Sequence, residues 1–170
     1  PWTYVGGTES LMARLSDPST RARIRKDILE GLPGWVSLHK GVGWENTLVT
    51  FCRRHDLEGL SIAQIAERSG KDPFDAAFDL LAECEGQVEV VYFTIGDEDI
   101  ERIMRHQAIM VGSDSSAIAV DGPLATGKPH PRGFGTFVRV LGHYVREKGT
   151  VTLENAIRKM TGLPAQKMRF

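Results

Sequence analysis

A short apolar run in the second half of the chain constrains the fold more than any other feature. Residues 108–111 (Ala-Ile-Met-Val) follow a helical pattern that Asp97 is expected to cap, and they end at Gly112-Ser113-Asp114. A short apolar run that is bounded by turn residues is typical of a buried parallel strand. A loop rich in glycine and proline follows over 115–135, and two helical patterns close the chain. This order predicts an α/β fold, in which ligands bind at the carboxyl ends of the strands.

Local signals predict the other elements. An N-cap residue before proline indicates helix starts at Asp17-Pro18 and Asp72-Pro73, Ser61 and Gln64 match a capping box, and Thr152 precedes the last helical pattern. Further predictions are a strand-to-loop passage at the start of the chain, a short strand over 35–38, helical spacing over 44–52, a strand over 88–93, a helix with Phe137, Leu141, Tyr144 and Val145 inward, and one with Leu153, Ala156, Ile157 and Met160 inward.

Composition excludes several classes of protein. Of the 170 residues, 41% are hydrophobic and the net charge is −1, which predicts a globular chain and argues against binding nucleic acid through bulk positive charge. No apolar stretch is long enough for a membrane span, and no secretory signal is recognised. Cys52 and Cys84 are too few for a disulfide framework, so we expect reduced core cysteines and a cytoplasmic protein.

Asp114 is the strongest candidate for chemistry. A carboxylate directly after an apolar strand can bind a metal, act as a base toward a metal-bound water, or bind a ribose or a cation. The alternative is an aspartate that caps the following turn. The histidines show no H-x-H, H-x-x-H or H-E-x-x-H spacing, so the sequence contains no complete metal site.

Two other segments contain candidate binding residues. Pro129 and Pro131 stiffen the loop around His130 and Arg132, and a fixed guanidinium can bind a planar carboxylate through two parallel hydrogen bonds. Paired glycines before Thr8 would let backbone N–H groups approach a ligand beside its hydroxyl. The alternatives are a solvated loop and a plain turn, respectively.

A helix-turn-helix is a competing interpretation of residues 59–81. The second helix of that pair carries Asp72, Asp75, Asp79, Glu83 and Glu85, however, and Lys71 is the only basic residue within 71–101. Phosphate would repel an acidic recognition helix, so nucleic acid is not the expected partner.

Taken together, the second half of the chain resembles the C-terminal part of the N-acyl-D-amino-acid deacylases (D-aminoacylases) of the amidohydrolase superfamily. The resemblance is dense from about residue 88 to 170 and looser before residue 86. The segments that carry it are 99–106 (DIERIMRH), 112–117 (GSDSSA), 127–137 (GKPHPRGFGTF), 139–142 (RVLG) and 156–166 (AIRKMTGLPAQ).

The resemblance implies a fold and a division of the chain. The family fold is a metal-dependent (β/α)8 TIM barrel with a mostly helical insertion. Residues 1–10 would end a barrel strand and form an active-site loop, residues 11–86 would be the insertion or lid, and residues 87–170 would hold the last barrel strands and helices. Since the chain has at most three strand regions, we expect a fragment that is inactive alone.

The resemblance also implies roles for individual residues. Asp114 would contact zinc, take a proton from zinc-bound water and pass it to the leaving amine, while Arg132, with His130 and Thr8, would bind the carboxylate of an N-acyl-D-amino acid. One or two zinc ions are implied, and the other ligands, a His-x-His, a Cys and two later His, are expected upstream of Pro1. The alternative is a truncated, non-catalytic module. The sequence leaves the acyl group, the preferred D-amino acid and the oligomeric state open.

Overall fold

The computed structural model describes residues 2–170 and divides the chain into two compact units, the first ending at Thr94 and the second beginning at Ile95. The first unit contains helices α1 (Gly7–Ser16), α2 (Pro18–Glu30), α3 (His39–Val42), α4 (Ile62–Ser69) and α5 (Pro73–Glu83), strands β1 (Thr47–Cys52) and β2 (Val88–Tyr92), and 3-10 turns at Trp2–Tyr4 and His55–Leu57. The second contains α6 (Asp97–Arg105), a 3-10 turn at Gly122–Leu124, α7 (Arg132–Arg139), a π-helix over Val140–Glu147, α8 (Leu153–Met160) and α9 (Gly162–Met168).

The helix starts that local signals predict are confirmed. The Asp17 carboxylate accepts from the Thr20 N–H at 2.8 Å, and the Asp72 carboxylate accepts from the Phe74 N–H at 2.9 Å. Both hydrogen bonds of the capping box at Ser61 form, as does the Thr152 cap of α8. Each cap satisfies an N–H group that has no partner inside the helix. Asp97, the expected N-cap of α6, is instead the first residue of that helix, and Gly96 is the N-cap.

The helical interpretation of residues 44–52 is wrong, since Thr47–Cys52 forms β1. This strand pairs antiparallel with β2, from Thr47 opposite Tyr92 to Cys52 opposite Val88, with a bulge between Val49 and Phe51. Side chains on both faces of β1 are buried, so the alternation that identifies a half-exposed strand is missing. The pairing partner follows only after α4 and α5, which a local pattern does not reveal.

The strand predicted over 88–93 forms as β2, but in the first unit. The division at 94/95 therefore differs from the expected boundary at 86/87, because pairing with β1 keeps β2 with the helices that precede it. The expected strand end in residues 1–10 is also not observed: Trp2–Tyr4 is a 3-10 turn, and α1 begins at Gly7. The short strand expected over 35–38 is reduced to an isolated bridge between Leu32 and Trp35.

Helices α4 and α5 of the first unit pack together around a buried core. That core combines Val49 and Cys52 of β1 with Ile65, Leu80 and Cys84, all at most 6% exposed. The acidic residues of α5 are paired within the unit: the Asp79 carboxylate lies 2.7 Å from Arg21 and 2.6 Å from Lys71. The two helices that match the helix-turn-helix pattern thus form an internal packing pair.

The strand predicted over 108–111 does not form in the second unit. Ile109 and Met110 are 39% and 42% exposed, and the segment has no regular secondary structure. A parallel strand needs neighbouring strands to pair with its backbone, and residues 95–170 contain none. Within residues 2–170, no helix is long and apolar enough to cross a bilayer.

The core of the second unit joins its helices. Met104 of α6, Val140 and Tyr144 of the π-helix, Val151 and Ala156 of α8 are all buried. Three side chains that the helical pattern places inward are instead largely exposed, namely Phe137, Leu153 and Ile157. Each of these helices therefore has a second apolar face that residues 95–170 leave uncovered.

Candidate active site

Asp114 is presented outward from an irregular segment. Its backbone adopts the left-handed region (φ 50°), which aspartate tolerates better than most residues. Its side chain is 90% exposed, so the carboxylate is available to a ligand. In the turn that follows, the Ser115 hydroxyl donates to the Ser116 carbonyl oxygen at 2.9 Å.

Arg132 meets Asp114 across the long loop. It is the first residue of α7, and its Nη1 lies 3.2 Å from Oδ2 of Asp114. The structure thus brings together the two strongest candidates, which the sequence does not predict to be in contact. An ion pair this exposed contributes little to stability, about 0–1 kcal/mol. Either partner can therefore exchange the other for a ligand at little cost.

His130 supports the backbone of Arg132. Its Nδ1 accepts a hydrogen bond from the Arg132 N–H at 3.0 Å, and its carbonyl oxygen accepts from the Gly133 N–H at 3.2 Å. Burial, and then the nearby Arg132 charge, lower the pKa of His130 from its ordinary value of 6.5. The neutral ring is the form that can accept, so the hydrogen bond and the lowered pKa agree. His130 orients the start of α7 through its ring.

We expect His130 to titrate below pH 6.5. The folded state binds fewer protons than the unfolded state between the lowered pKa and 6.5, so the contribution of His130 to stability rises with pH through that window and is lost as the pH falls through it. The measurement is the imidazole proton shift of His130 by NMR. A peptide of residues 127–134 is the reference, and a folded-state midpoint at or above that of the peptide would contradict the assignment.

Gly133 allows the loop after Asp114 to pack against α7. A Cβ at this position would lie 2.2 Å from Ile118 Cδ1 and 2.5 Å from the Ser115 hydroxyl. These distances are far inside van der Waals contact, so a side chain at this position would force the Ser115 and Ile118 side chains away from α7. The close approach holds residues 115–118 against the first turn of α7, beside the Asp114–Arg132 pair.

Substituting Gly133→Ala should displace the 115–118 loop. The overlapping atoms are ends of side chains, so the loop can move away without unfolding the helix. We expect the backbone amide chemical shifts of residues 115–118 to change, measured by NMR, with those of the π-helix unchanged. Gly135→Ala is the matched control, because a Cβ there meets nothing within 4 Å. Equal chemical shifts at residues 115–118 in the two variants would disprove the packing role of Gly133.

Lys159 is a buried residue of this region that the sequence does not single out. It lies on α8 and is 1% exposed, and its Nζ donates to the carbonyl oxygens of His106 and Ile109. Burial, with a smaller contribution from Arg158, lowers the pKa of Lys159. A signal was present: Lys159 falls three residues after Ala156 and beside Met160, on the apolar stripe of the helix.

Thr8 lies in the first unit, and its role stays a prediction. It is the second residue of α1 and is exposed. The two glycines before it have positive φ angles, 93° at Gly6 and 78° at Gly7, so the chain turns here as only glycine readily permits. A Cβ at Gly6 would also overlap the Ser10 hydroxyl, at 2.5 Å.

Asp114 is the one predicted metal ligand in the described part of the chain. Within residues 2–170, no group of three or more His, Cys, Asp or Glu side chains lies close enough together to hold a metal ion. A zinc site requires three or four such ligands. Asp114 fits as a single oxygen ligand that would complete a set supplied from elsewhere.

Comparison with known proteins places the chain within longer enzymes. It is 36% identical over 122 residues to a D-aminoacylase of Alcaligenes xylosoxydans xylosoxydans, covering 71% of this chain and 23% of that protein. It is 43% identical over 108 residues to an N-acyl-D-glutamate deacylase of the same organism, covering 64% of this chain and 20% of that protein. The chain thus spans less than a quarter of the curated relatives it matches. No family model matches it.

Solved structures agree with the sequence comparison. The N-acyl-D-glutamate deacylase from Bordetella bronchiseptica, complexed with zinc and a phosphonate mimic of the tetrahedral intermediate, superimposes with a TM-score of 0.63 at 32% identity, over 89% of this chain and 32% of that one. A D-aminoacylase with a binuclear metal centre gives a TM-score of 0.59 at 37% identity, over 78% of this chain and 25% of that one. The predicted fold class is confirmed at this level: the chain folds like a part of these amidohydrolases.

Proposed function

The chain belongs to the D-aminoacylase family, and on that premise we propose that it is part of a zinc-dependent amidohydrolase that hydrolyses N-acyl-D-amino acids to a carboxylate and a free D-amino acid. One observation supports the proposal most strongly. The Asp114 carboxylate and the Arg132 guanidinium are exposed and 3.2 Å apart.

That proximity matches the substrate. In an N-acyl amino acid, the nitrogen of the scissile amide and the free carboxylate are bonded to the same carbon atom. A residue that delivers a proton to this nitrogen must therefore lie close to a residue that binds the carboxylate. Asp114 is suited to the first task and Arg132 to the second, since guanidinium binds carboxylate in a planar, bidentate geometry.

Each residue has a defined part in the proposed reaction. Arg132 binds the substrate carboxylate, and this binding releases Asp114 from its ion pair. Asp114 then accepts a proton from the attacking water and returns it to the leaving nitrogen. His130 keeps the Arg132 backbone in place through its ring nitrogen.

Zinc is the proposed cofactor, one or two ions, with Asp114 among its ligands. When bound, zinc activates water at neutral pH and polarises the amide carbonyl. Because residues 2–170 contain no group of three ligands, the remaining ligands must come from other parts of the complete polypeptide.

We propose that this segment alone is inactive. We also propose that the complete protein is cytoplasmic, consistent with Cys52 and Cys84 being free thiols.

The test is an assay of the complete polypeptide against paired N-acetyl-D- and N-acetyl-L-amino acids, including glutamate, aspartate and apolar side chains. We expect release of the free D-amino acid, its loss on treatment with a chelator and its recovery with zinc. A complete protein that is folded and zinc-loaded but releases no amino acid would overturn the proposal in favour of a non-catalytic module. Zinc-dependent turnover by residues 1–170 alone would disprove the predicted inactivity of the segment.

A further inference from the structure

Lys159 is a charged side chain in an apolar place. It is 1% exposed, and its helix contributes Ala156, also buried, to the core of the second unit. No carboxylate within residues 95–170 lies within ion-pair distance of it. Burying an ammonium group is costly unless hydrogen bonds replace its water, and an apolar residue of similar length would avoid that cost.

The hydrogen bonds of Lys159 all go to one short segment. Its ammonium donates to the carbonyl oxygen of His106 and to that of Ile109, the latter at 3.1 Å. Its own carbonyl oxygen, one of the last four of α8, accepts from the Val111 N–H at 3.2 Å. The neighbouring Arg158 guanidinium adds a longer contact to the Gln107 carbonyl oxygen at 3.4 Å.

Few other contacts hold the bound segment: the Ala108 N–H donates to the His106 ring nitrogen at 3.3 Å, and Val111 packs against the core of the second unit. Residues 107–119 form no helix or strand in the structure. His106 is the C-cap of α6, where a positive charge is favourable, and its carbonyl oxygen also accepts from the Ile109 N–H. Lys159 therefore fixes the path of the chain from the end of α6 to Val111, three residues before Asp114.

We infer that Lys159 is a positioning residue for the proposed deacylation: it fixes residues 106–111 and so places the Asp114 carboxylate beside Arg132. The effect of Lys159 on catalysis rests on the proposed function, whereas its effect on the path of residues 106–111 does not. Small displacements of a reacting group have large costs, about 100-fold in rate for about 1 Å. Arg132 is supported separately, by His130 and by α7, so its carboxylate-binding role does not depend on Lys159.

The experiment compares Lys159→Met, Lys159→Arg and the control Lys167→Met in the complete polypeptide. Methionine keeps the length and the burial of Lys159 but removes all of its donors, whereas arginine keeps charge and donors. Lys167, on α9, is exposed and makes no hydrogen bond or ion pair within residues 2–170. The readouts are amide exchange, and kcat and KM per folded, zinc-loaded molecule.

For Lys159→Met we expect about tenfold or faster exchange within residues 108–111, where the N–H groups of Ala108, Ile109 and Val111 donate hydrogen bonds, with α7 and the π-helix unchanged. We expect kcat to fall about 30- to 100-fold while KM stays within about twofold, since carboxylate binding is retained. Lys159→Arg should restore a substantial part of both values, and Lys167→Met should match the unmodified protein.

Several results would overturn the inference. One is unchanged exchange within residues 108–111, and another is a rise spread evenly over 95–170, because a residue that only stabilises the core would loosen the whole unit. Normal kcat in Lys159→Met with faster local exchange would also contradict it. If Lys159→Met does not fold, Lys159→Arg with full protection and unchanged kcat supports the role, and its failure to restore protection contradicts it. If the unmodified protein has no deacylase activity, the proposed function is wrong. Amide exchange then still tests whether Lys159 fixes residues 106–111.

Discussion

Asp114→Asn should reduce deacylation by the complete protein about 10³-fold in kcat. Asparagine keeps the size and polarity of the side chain and tolerates the left-handed backbone (φ 50°), so the loop should keep its path. The amide cannot accept and return a proton, and positioned acid–base groups contribute about 10²- to 10⁴-fold. The measurement is steady-state kinetics with an N-acetyl-D-amino acid at saturating zinc.

The control for this loss is Asp121→Asn. Asp121 lies in the same long loop, is exposed, and makes no side-chain hydrogen bond or ion pair within residues 2–170. We expect it to leave kcat unchanged. The thermal midpoint of Asp114→Asn should stay near that of the unmodified protein, because its ion pair with Arg132 is exposed. Retained activity in Asp114→Asn would remove the proposed proton carrier.

The parts of the fold that were predictable from the sequence are those fixed by near neighbours. The caps at Asp17, Ser61, Asp72 and Thr152 each join groups two or three residues apart, so a short sequence window contains the whole interaction. The strand β2 was also predictable, because a run of β-branched and aromatic residues has few other solutions. Such signals do not depend on the rest of the molecule.

The predictions for β1 and for residues 108–111 were wrong for opposite reasons. The strand β1 is buried on both faces, so its periodicity does not distinguish a strand from a helix, and its partner β2 is distant in sequence. The run at 108–111 has the composition of a parallel strand, but residues 95–170 provide no strand beside it. Whether a segment forms a strand depends on the strands available to pair with it, and the sequence of the segment alone does not show these.

The candidate site shows the same division. Asp114 and Arg132 were found through residue type and motif, whereas their contact depends on how the 115–131 loop folds back. Gly133 contributes by lacking a side chain, and Lys159 by its burial, and neither property is visible in a motif. The sequence thus predicts which groups carry the proposed chemistry, and the structure adds the residues that position them.

Arg132→Met should raise KM for N-acyl-D-amino acids about 100-fold in the complete protein, with kcat lowered much less. The substrate carboxylate would lose a charged, bidentate partner, and hydrogen bonds to charged groups contribute about 1.5–3 kcal/mol each. Arg132→Lys should raise KM by about tenfold, because an ammonium keeps the charge but not the planar pair of donors. The measurement is kcat and KM for an N-acetyl-D-amino acid and for its amide, which lacks the free carboxylate.

The amide separates carboxylate binding from a general effect on the fold. The unmodified protein should strongly prefer the free acid, and Arg132→Met should lose that preference because its KM for the amide hardly changes. Arg146→Met is the matched control: Arg146 is an exposed residue of the π-helix with no hydrogen bond or ion pair within residues 2–170, and it should keep the preference. If Arg132→Met kept the preference as well, the substrate carboxylate would have to bind elsewhere, and the Asp114–Arg132 contact would lose its proposed meaning.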